Sequence, residues 1–245
     1  MSSAPSNASN ASNASNASNA FNAGYAAAEH TMFPLPSTQT VAGKSQTDLG
    51  RLVLPPPQPL RVTLSSNPAL AQARVIENVF TAAQCEQIIA IGTKRPREDA
   101  RVQSYGSSAR IGHVAWIDPG ADTFWIYQRL ATVVAWVNQA FRFELLGFSD
   151  ALQYTVYGAG HKFDWHVDIG AGAASNRKLS LTVQLSDESA YEGGALQFIS
   201  APERDMPKLR GAAILFPAYL AHRVSDVTSG VRCSIVGWAA GAPFK

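Results

Sequence analysis

Hydrophobic positions recur with a helical period in two segments of the first half of the chain. A short strand is predicted around Val75, and Thr81 with Gln84 three residues later forms a capping box, a pair that typically starts a helix. That helix is expected to end at Gly92, because glycine is a common helix terminator. A second helix is predicted over residues 122–141, where aromatic and aliphatic side chains fall near helical spacing and are expected to pack on a sheet.

After residue 150 the period changes from helical to alternating. Residues 151–238 form a series of short β-like runs separated by Gly, Pro, Asn, Asp and Ser. The clearest run, residues 178–186, places apolar side chains on one face and polar side chains on the other: Leu179, Leu181, Val183 and Leu185 against Ser180, Thr182, Gln184 and Ser186. A polar face on an internal strand indicates a barrel or double sheet whose interior is partly a site. The predicted fold class is mainly β.

The first 68 residues differ in composition from the rest. Residues 6–20 repeat Ser-Asn-Ala, a polar tract that cannot bury enough apolar area to offset its ordering entropy, and residues 54–60 (LPPPQPL) are typical of a stiff polyproline segment. The Asn-Ala-Ser triplets match glycosylation acceptors, which matters only in a secretory compartment. We predict a disordered leader and Pro-rich linker over 1–68 and one domain over 69–245, with its β-rich core at about 150–240.

Charge and cysteine content narrow the function classes. The formal charge of the 245-residue chain is +2, and its Lys and Arg residues are scattered singly, which argues against a nucleic-acid partner. Cys85 and Cys233 show neither metal-finger spacing nor a disulfide framework, so a reducing compartment is expected. The sequence has no long apolar run and no secretory signal pattern, so we expect a cytoplasmic protein without a membrane partner.

Candidate metal ligands are concentrated in residues 161–170 (HKFDWHVDIG). On a strand, His166 and Asp168 project from the same face, so an imidazole and a carboxylate can converge on one ion. Among the five histidines, His222 is the best third candidate, because an apolar strand, a Pro turn and a second strand would return it across the sheet. Two histidines and one carboxylate with open positions are the ligand set of non-haem Fe(II) oxygenases. A His-X-Asp sequence alone is weak, since a lone histidine on an apolar strand is more often a core residue.

An arginine in an apolar strand strengthens the case for a site. Arg232 lies in residues 230–238 (GVRCSIVGW), with Ser234 on the same strand face and Cys233 on the other. Burying a guanidinium is costly unless it meets an anion, and its planar fork suits a carboxylate, to which the hydroxyl of Ser234 can add a hydrogen bond. The alternative is an internal salt bridge to an acidic side chain.

These motifs, in this order and at this spacing, resemble the 2-oxoglutarate- and Fe(II)-dependent oxygenases, in the branch of the prolyl 4-hydroxylase catalytic domains and bacterial PKHD-type hydroxylases. The resemblance is carried by YGAGHKFDWHVD (157–168), RKLSLTVQLSDESAYEGGALQF (177–198) and LRGAAILFPAYLAHRVSDVTSGVRCSIVGW (209–238), with weaker similarity back to about residue 75. It implies a double-stranded β-helix, or jelly roll, with helices packed outside the larger sheet.

The resemblance also implies roles for particular residues. His166, Asp168 and His222 would be the iron ligands and so the catalytic residues; Arg232 would bind the distal carboxylate of 2-oxoglutarate with help from Ser234, and Tyr157 falls where relatives often contact the same cosubstrate. Prolyl 4-hydroxylases usually place Lys at the position of Arg232, so the chain departs from that subgroup and matches the PKHD-like pattern. The carboxylate of Asp168 separates it from the related halogenases.

The implied reaction uses Fe(II), 2-oxoglutarate and O2, with ascorbate as a reductant, and hydroxylates a C–H bond with release of succinate and CO2. The substrate would be a small molecule or a peptidyl side chain; the sequence does not fix it or the oligomeric state. Residues 105–118 are expected to border the entrance as a mobile lid in which Arg110, His113 and Trp116 contact substrate, or else to be an ordinary surface loop.

Two other functions compete with the hydroxylase. One is a catalytically silent double-stranded β-helix that binds a ligand or partner; loss of a residue of the His166, Asp168 and His222 triad would favour it, and none is lost. The other is a zinc or other metal hydrolase with the same ligands. Arg232 with Ser234 argues against the hydrolase, because hydrolysis needs no anchor for a dicarboxylate.

Overall fold

The computed structural model describes residues 33–34, 67–100, 102–104, 107–201 and 204–243. The predicted disorder of the Ser-Asn-Ala repeat and the predicted stiffness of residues 54–60 therefore lie outside the described residues. Within the described part, no helix is long and apolar enough to cross a membrane.

Two long helices lie where the spacing of hydrophobic residues predicted them. Helix α1 is Ala82–Thr93, and both hydrogen bonds of the predicted capping box between Thr81 and Gln84 are present. It continues one residue past Gly92, the predicted end. Helix α2 is Phe124–Phe141, two residues shorter than predicted at its start, and it ends at Arg142 in a left-handed conformation (φ 62°).

Sixteen strands are present in the described part of the chain. In chain order they are β1 Phe33–Pro34, β2 Arg74–Ile76, β3 Glu98–Asp99, β4 Val102–Ser104, β5 Ser107–Ile111, β6 His113–Ile117, β7 Leu145–Phe148, β8 Leu152–Tyr157, β9 Lys162–His166, β10 Arg177–Gln184, β11 Tyr191–Gly193, β12 Leu196–Phe198, β13 Ala213–Pro217, β14 His222–Val224, β15 Val227–Gly230 and β16 Arg232–Gly241. The mainly β prediction with flanking helices is confirmed.

The strands form one large sheet, one smaller sheet and a two-stranded ribbon. The large sheet has the order β2-β13-β10-β16-β8-β6-β3, with β7 also paired to β16 and β1 to β7; the smaller sheet has the order β12-β14-β9-β5-β4, and β11 pairs with β15. Every pairing between these strands is antiparallel. Neighbours such as β10 and β13 are distant in sequence, so the sheets close through crossovers rather than through hairpins alone.

The main apolar core lies between the large sheet and the two helices. Ile88 of α1 and Leu130 of α2 are fully buried against Leu181 of β10 and Ile235 of β16. Burying each such side chain contributes roughly 1.5–3 kcal/mol. The predicted alternation in β10 is confirmed in its orientation, but its polar face is as buried as its apolar one. The sheet therefore has an interior on both sides, and the second interior is polar.

Candidate metal centre and cosubstrate cavity

Three predicted ligands meet at the junction of two strands of the smaller sheet. His166 is the last residue of β9, His222 is the first of β14, and the two are paired directly across the strands. Asp168 lies beyond the end of β9, where its backbone N–H donates to the carbonyl of Ala218 at 2.9 Å. The expectation that residues 166–168 share one strand is therefore inexact, yet Asp168 still turns inward while Val167 is 44% exposed.

The geometry of the three side chains suits one metal ion. Nε2 of His166 lies 3.7 Å from Oδ1 of Asp168, and Nε2 of His222 lies 3.6 Å from Oδ2 of the same carboxylate. All the ligand atoms fall within 4.8 Å of one another. Two atoms that each lie about 2.0–2.2 Å from a shared ion are at most about 4.4 Å apart, so the 3.7 and 3.6 Å separations fit a single ion.

Backbone carbonyls fix the orientation of both imidazoles. Nδ1 of His166 lies 2.7 Å from the carbonyl oxygen of Asp164, and Nδ1 of His222 lies 2.8 Å from that of Leu220. A carbonyl can only accept, so each Nδ1 carries a proton, which leaves Nε2 as the ring atom that can bind a metal. Such partners hold a ligating histidine in the tautomer that binds metal.

The protonation states also favour a metal. Burial, and after it the neighbouring His222, lower the pKa of His166 to about 4, so the imidazole is neutral at pH 7. Burial alone would raise the pKa of Asp168, but His222, His166 and a hydrogen bond from the Ser180 hydroxyl (2.6 Å) hold it below its usual value. Neutral imidazole and ionised carboxylate are the forms that coordinate metal.

Arg177 supports the centre from behind. Its guanidinium donates to the backbone carbonyl of Asp168 at 3.2 Å and to the carboxylate of Asp150 at 2.9 Å. It also stacks 3.9 Å from the ring centre of Trp238. The buried indole Nε1 of Trp238 lies near the Asp168 carboxylate without a hydrogen-bond partner. Arg177 therefore positions a ligand and one wall of the cavity together.

Arg232 forms a buried cationic end to the same cavity. Arg232 is 2% exposed, and its Nη1 donates a hydrogen bond to the Ser234 hydroxyl at 3.0 Å. The Ser234 hydroxyl in turn lies 2.6 Å from the Thr155 hydroxyl. No carboxylate among the described residues pairs with Arg232, which removes the support for an internal salt bridge. Three buried polar atoms in the described structure also lack partners: Arg232 Nε, Tyr191 Oη and Gln184 Oε1.

Tyr157 is placed beside Arg232 by register and held there by close packing. The two residues are directly paired between β8 and β16. Its hydroxyl accepts a hydrogen bond from Nε of Arg110 at 3.2 Å. A side chain at Gly112 would come within 2.2 Å of the tyrosine ring, so only glycine leaves the ring room at this site.

These groups line one cavity of about 520 Å³, counting the part open to solvent. Its lining includes all three metal ligands, Arg232, Ser234, Tyr157 and Arg110, together with apolar side chains: Phe163, Leu196, Phe216, Val224 and Val236. Of the residues predicted to contact iron or cosubstrate, every one reaches this cavity.

Of the three predicted substrate residues, the cavity lining includes Arg110 but not His113 or Trp116. Nδ1 of His113 lies 3.1 Å from the Asp99 carboxylate, and the His113 ring packs edge-on to that of His161. The predicted lid contains β5 and β6, and residues 105–106 lie outside the described residues. Whether this segment moves over substrate stays a prediction.

Sequence reasoning missed several polar residues that line the cavity or lie beside it. Ser180, Gln184, Thr155 and Gln153 were not singled out, although the first two lie on the polar face recognised in residues 178–186. Thr155 and Gln153 occupy alternating positions of β8, between buried apolar residues. The same alternation of polar and apolar residues could have indicated them, but β8 is only six residues long, so the pattern is weak.

The fold and the site define a mainly β protein with a two-histidine, one-carboxylate centre. The model of the 2OG-Fe(II) oxygenase superfamily matches residues 152–240. A PKHD-type hydroxylase of Synechococcus sp. (strain CC9605) is 31% identical over 58% of this chain and 66% of its own length. One of Caulobacter sp. (strain K31) is 42% identical over 34% of this chain and 39% of its own length. The chain thus spans less than two thirds of these curated relatives.

Solved structures agree on the fold. A prolyl-4-hydroxylase of Pseudomonas putida matches with a TM-score of 0.58 and 19% identity over 69% of this chain and 92% of that one. A viral collagen prolyl hydroxylase of Paramecium Bursaria Chlorella virus-1 matches with a TM-score of 0.55 and 18% identity over 69% and 96%. The predicted jelly roll is confirmed. These comparisons support a 2OG-Fe(II) oxygenase similar to the PKHD-type hydroxylases.

Similarity to this superfamily implies Fe(II), 2-oxoglutarate and O2, and the residues present fit them. The donor set of two neutral imidazoles and a carboxylate suits Fe(II). A carboxylate at Arg232 would give Arg232 Nε and the Tyr191 hydroxyl the partner that each lacks. Buried polar groups are normally satisfied, so these donors fit a carboxylate bound at this end of the cavity.

Proposed function

We propose that the protein is an Fe(II)- and 2-oxoglutarate-dependent dioxygenase that hydroxylates a C–H bond. One observation carries the proposal: the His166, Asp168 and His222 centre opens into the same cavity as the buried, unpaired guanidinium of Arg232. A metal hydrolase would need the first feature but not the second. A structural jelly roll would need neither.

The proposal assigns roles to the metal ligands, to the residues that bind 2-oxoglutarate and to the apolar wall of the cavity. His166, Asp168 and His222 hold the iron, and Arg232 with Ser234 binds the distal carboxylate of 2-oxoglutarate beside Tyr157. When bound, iron with 2-oxoglutarate and O2 supplies the oxidising power for hydroxylation, with release of succinate and CO2. The apolar wall formed by side chains such as Phe163, Phe216 and Val236 excludes water, which strengthens the charge interactions inside the cavity.

The remaining parts of the proposal concern the substrate and setting. We propose a small-molecule or peptidyl substrate and no nucleic-acid or membrane partner. The small net charge of +2 and the scattered positions of the Lys and Arg residues support this proposal. Two free, buried cysteines support a reducing, cytoplasmic setting. We propose residues 69–245 as the oxygenase domain, preceded by a leader and linker. Among the predicted substrate residues, the cavity supports a role for Arg110.

The test is succinate formation by the purified full chain given Fe(II), ascorbate, O2 and 2-oxoglutarate without added substrate. Slow uncoupled turnover is expected in the wild type and should disappear in His166→Ala. The matched control is His161→Ala, which removes a histidine outside the metal centre and should leave turnover unchanged. Unfolding temperatures of all three proteins would show whether the variants fold.

A measurement of 2-oxoglutarate binding tests the proposal even if uncoupled turnover is too slow to measure. Binding of 2-oxoglutarate should require added metal, measured with manganese(II), which accepts the same ligand types. If the folded wild type formed no succinate and bound 2-oxoglutarate no better with metal than without, the catalytically silent scaffold would be the correct function.

A further inference from the structure

Arg110 brings a second positive charge into the cavity, apart from Arg232. It lies on β5, opposite Phe163 of β9, and its guanidinium is 4.6 Å from the centre of the Phe163 ring. That ring stacks on the imidazole of His166 with 3.5 Å between centroids. The charge therefore lies one aromatic ring away from a metal ligand, on the smaller-sheet side of the cavity.

The hydrogen-bond partners of Arg110 are uncharged. Its Nη2 donates to the side-chain carbonyl of Gln153 at 2.7 Å and its Nε to the hydroxyl of Tyr157 at 3.2 Å. Arg177 and Arg95 meet carboxylates, those of Asp150 and Asp122, whereas Arg223 resembles Arg110 in meeting an amide and an aromatic ring, but it does not line this cavity. The Phe163 ring face and the two neutral acceptors stabilise the part-buried guanidinium without cancelling its charge, which leaves that charge available to an anion in the cavity.

A charge count of the assembled site leaves one positive charge unmatched. The charged side chains among the described cavity lining are Arg110, Arg232 and Asp168, a net charge of +1 when both histidines are counted as neutral metal ligands. Iron adds two positive charges and 2-oxoglutarate two negative ones, so the net charge of the filled site is unchanged. Arg232 is neutralised by the distal carboxylate, which leaves Arg110 as the group without a counter-charge.

We propose that Arg110 binds a carboxylate group of the substrate, so that the enzyme hydroxylates a carboxylate-bearing molecule. The inference rests on the proposed function and names the substrate class for the same cavity. A single carboxylate matches the single unmatched charge, and the planar guanidinium suits that group. The carboxylate has two chemical sources: a free acid such as an amino acid, or an Asp or Glu side chain in a peptide.

The experiment compares carboxylates with neutral isosteres of the same shape. One arm uses the standard L-amino acids against their carboxamides; the other uses end-capped peptides with Asp or Glu against the same peptides with Asn or Gln. Succinate release above the uncoupled rate measures productive binding, and calorimetry on the manganese(II) protein with 2-oxoglutarate measures affinity without turnover. The arm that responds identifies the source of the carboxylate.

In the wild type, at least one carboxylate probe should bind about 10-fold or more tightly than its neutral isostere, as expected for a charge-assisted hydrogen bond. Arg110→Gln should reduce that ratio to about one, and Arg110→Lys should restore part of it, which a merely structural role would not do. Arg95→Gln removes the same charge from the outer surface and should leave the ratio unchanged.

Two outcomes would overturn the inference without touching the proposed function. In one, the wild type makes succinate but prefers no carboxylate probe in either arm. In the other, Arg110→Gln keeps the wild-type preference while weakening only 2-oxoglutarate binding, which would make Arg110 a positioning residue for Tyr157. Failure of metal-dependent 2-oxoglutarate binding itself would instead overturn the proposed function.

Discussion

The two faces of the large sheet are equally buried but differ in how well their side chains are matched. On the helix side, Leu181 and Ile235 are at most 1% exposed and belong to the apolar core cluster. On the cavity side of the same strands, Arg232 and Ser234 are also at most 2% exposed, yet Arg232 Nε has no partner. Burial alone therefore does not separate core from site; unsatisfied polar atoms do.

The two faces of the sheet also contribute differently to the free energy of folding. The helix side supplies transfer free energy at about 25 cal/mol per Å² of apolar area buried. The cavity side works against folding, since a buried group without its hydrogen bond costs about 1–3 kcal/mol. Substitutions on the two faces should consequently have opposite consequences for stability and for ligand binding.

The largest effect is expected from Arg232→Met, which removes the charge and keeps an unbranched side chain. Losing one partner of a buried charge pair costs about 2–5 kcal/mol, so 2-oxoglutarate affinity should fall by roughly 30-fold or more. Unfolding without ligand should require as much denaturant as in the wild type, or more, because an unpaired buried charge is gone. Calorimetry with manganese(II) and urea unfolding measure the two quantities; unchanged 2-oxoglutarate affinity would show that the anchor is misassigned.

Ile235→Ala is the matched change on the other face, one residue from Ser234. Truncating a fully buried isoleucine costs about 2–5 kcal/mol of unfolding free energy, because a cavity remains. Folded molecules should bind 2-oxoglutarate with wild-type affinity. Urea unfolding and calorimetry below the transition test this pair of results, and a loss of affinity as large as that of Arg232→Met would mean that the two faces are not independent.

Sequence patterns predicted the fold elements wherever a local signal was strong. The capping box of Thr81 and Gln84 and the alternation of β10 required only neighbouring residues, and both are present in the structure. The third metal ligand needed a chain reversal between β13 and β14, which the Pro-containing turn indicated. The family resemblance then supplied the roles of Arg232 and Tyr157.

Long-range packing explains what the sequence could not predict. The support of Asp168 by Ser180 depends on β10 lying opposite the end of β9, and no local pattern encodes that contact. Likewise, the outward placement of His113 follows from its register against Asp99 in β3. The residues around His113 do not show whether its side chain faces the cavity or points away from it, because both orientations fit the same local sequence.

Ser180→Ala tests whether the polar face also tunes the metal centre. The substitution removes the 2.6 Å hydrogen bond to Oδ2 of Asp168. Loss of a group that holds a metal ligand typically lowers metal affinity 10- to 100-fold, and that loss is expected here. Competition titration with a metal-binding dye measures it. Thr182→Ala, on the same face of β10, is the control and should change the affinity far less; equal losses would assign the effect to general loosening of the strand.

The last effect is a pH dependence of the metal-free protein. The pKa of His166 is about 4 in the folded state, below its ordinary value of 6.5, so the unfolded chain binds the proton more readily. This imidazole therefore adds stability in full above about pH 6.5, and the contribution is lost as pH falls towards 4, by at most about 1.4 kcal/mol per pH unit. Urea unfolding in the presence of a chelator should show a steeper decline over this window in the wild type than in His166→Gln. Equal slopes would mean that the imidazole takes up its proton as readily in the folded cavity as in water, and that the neutral ligand is not built into the fold.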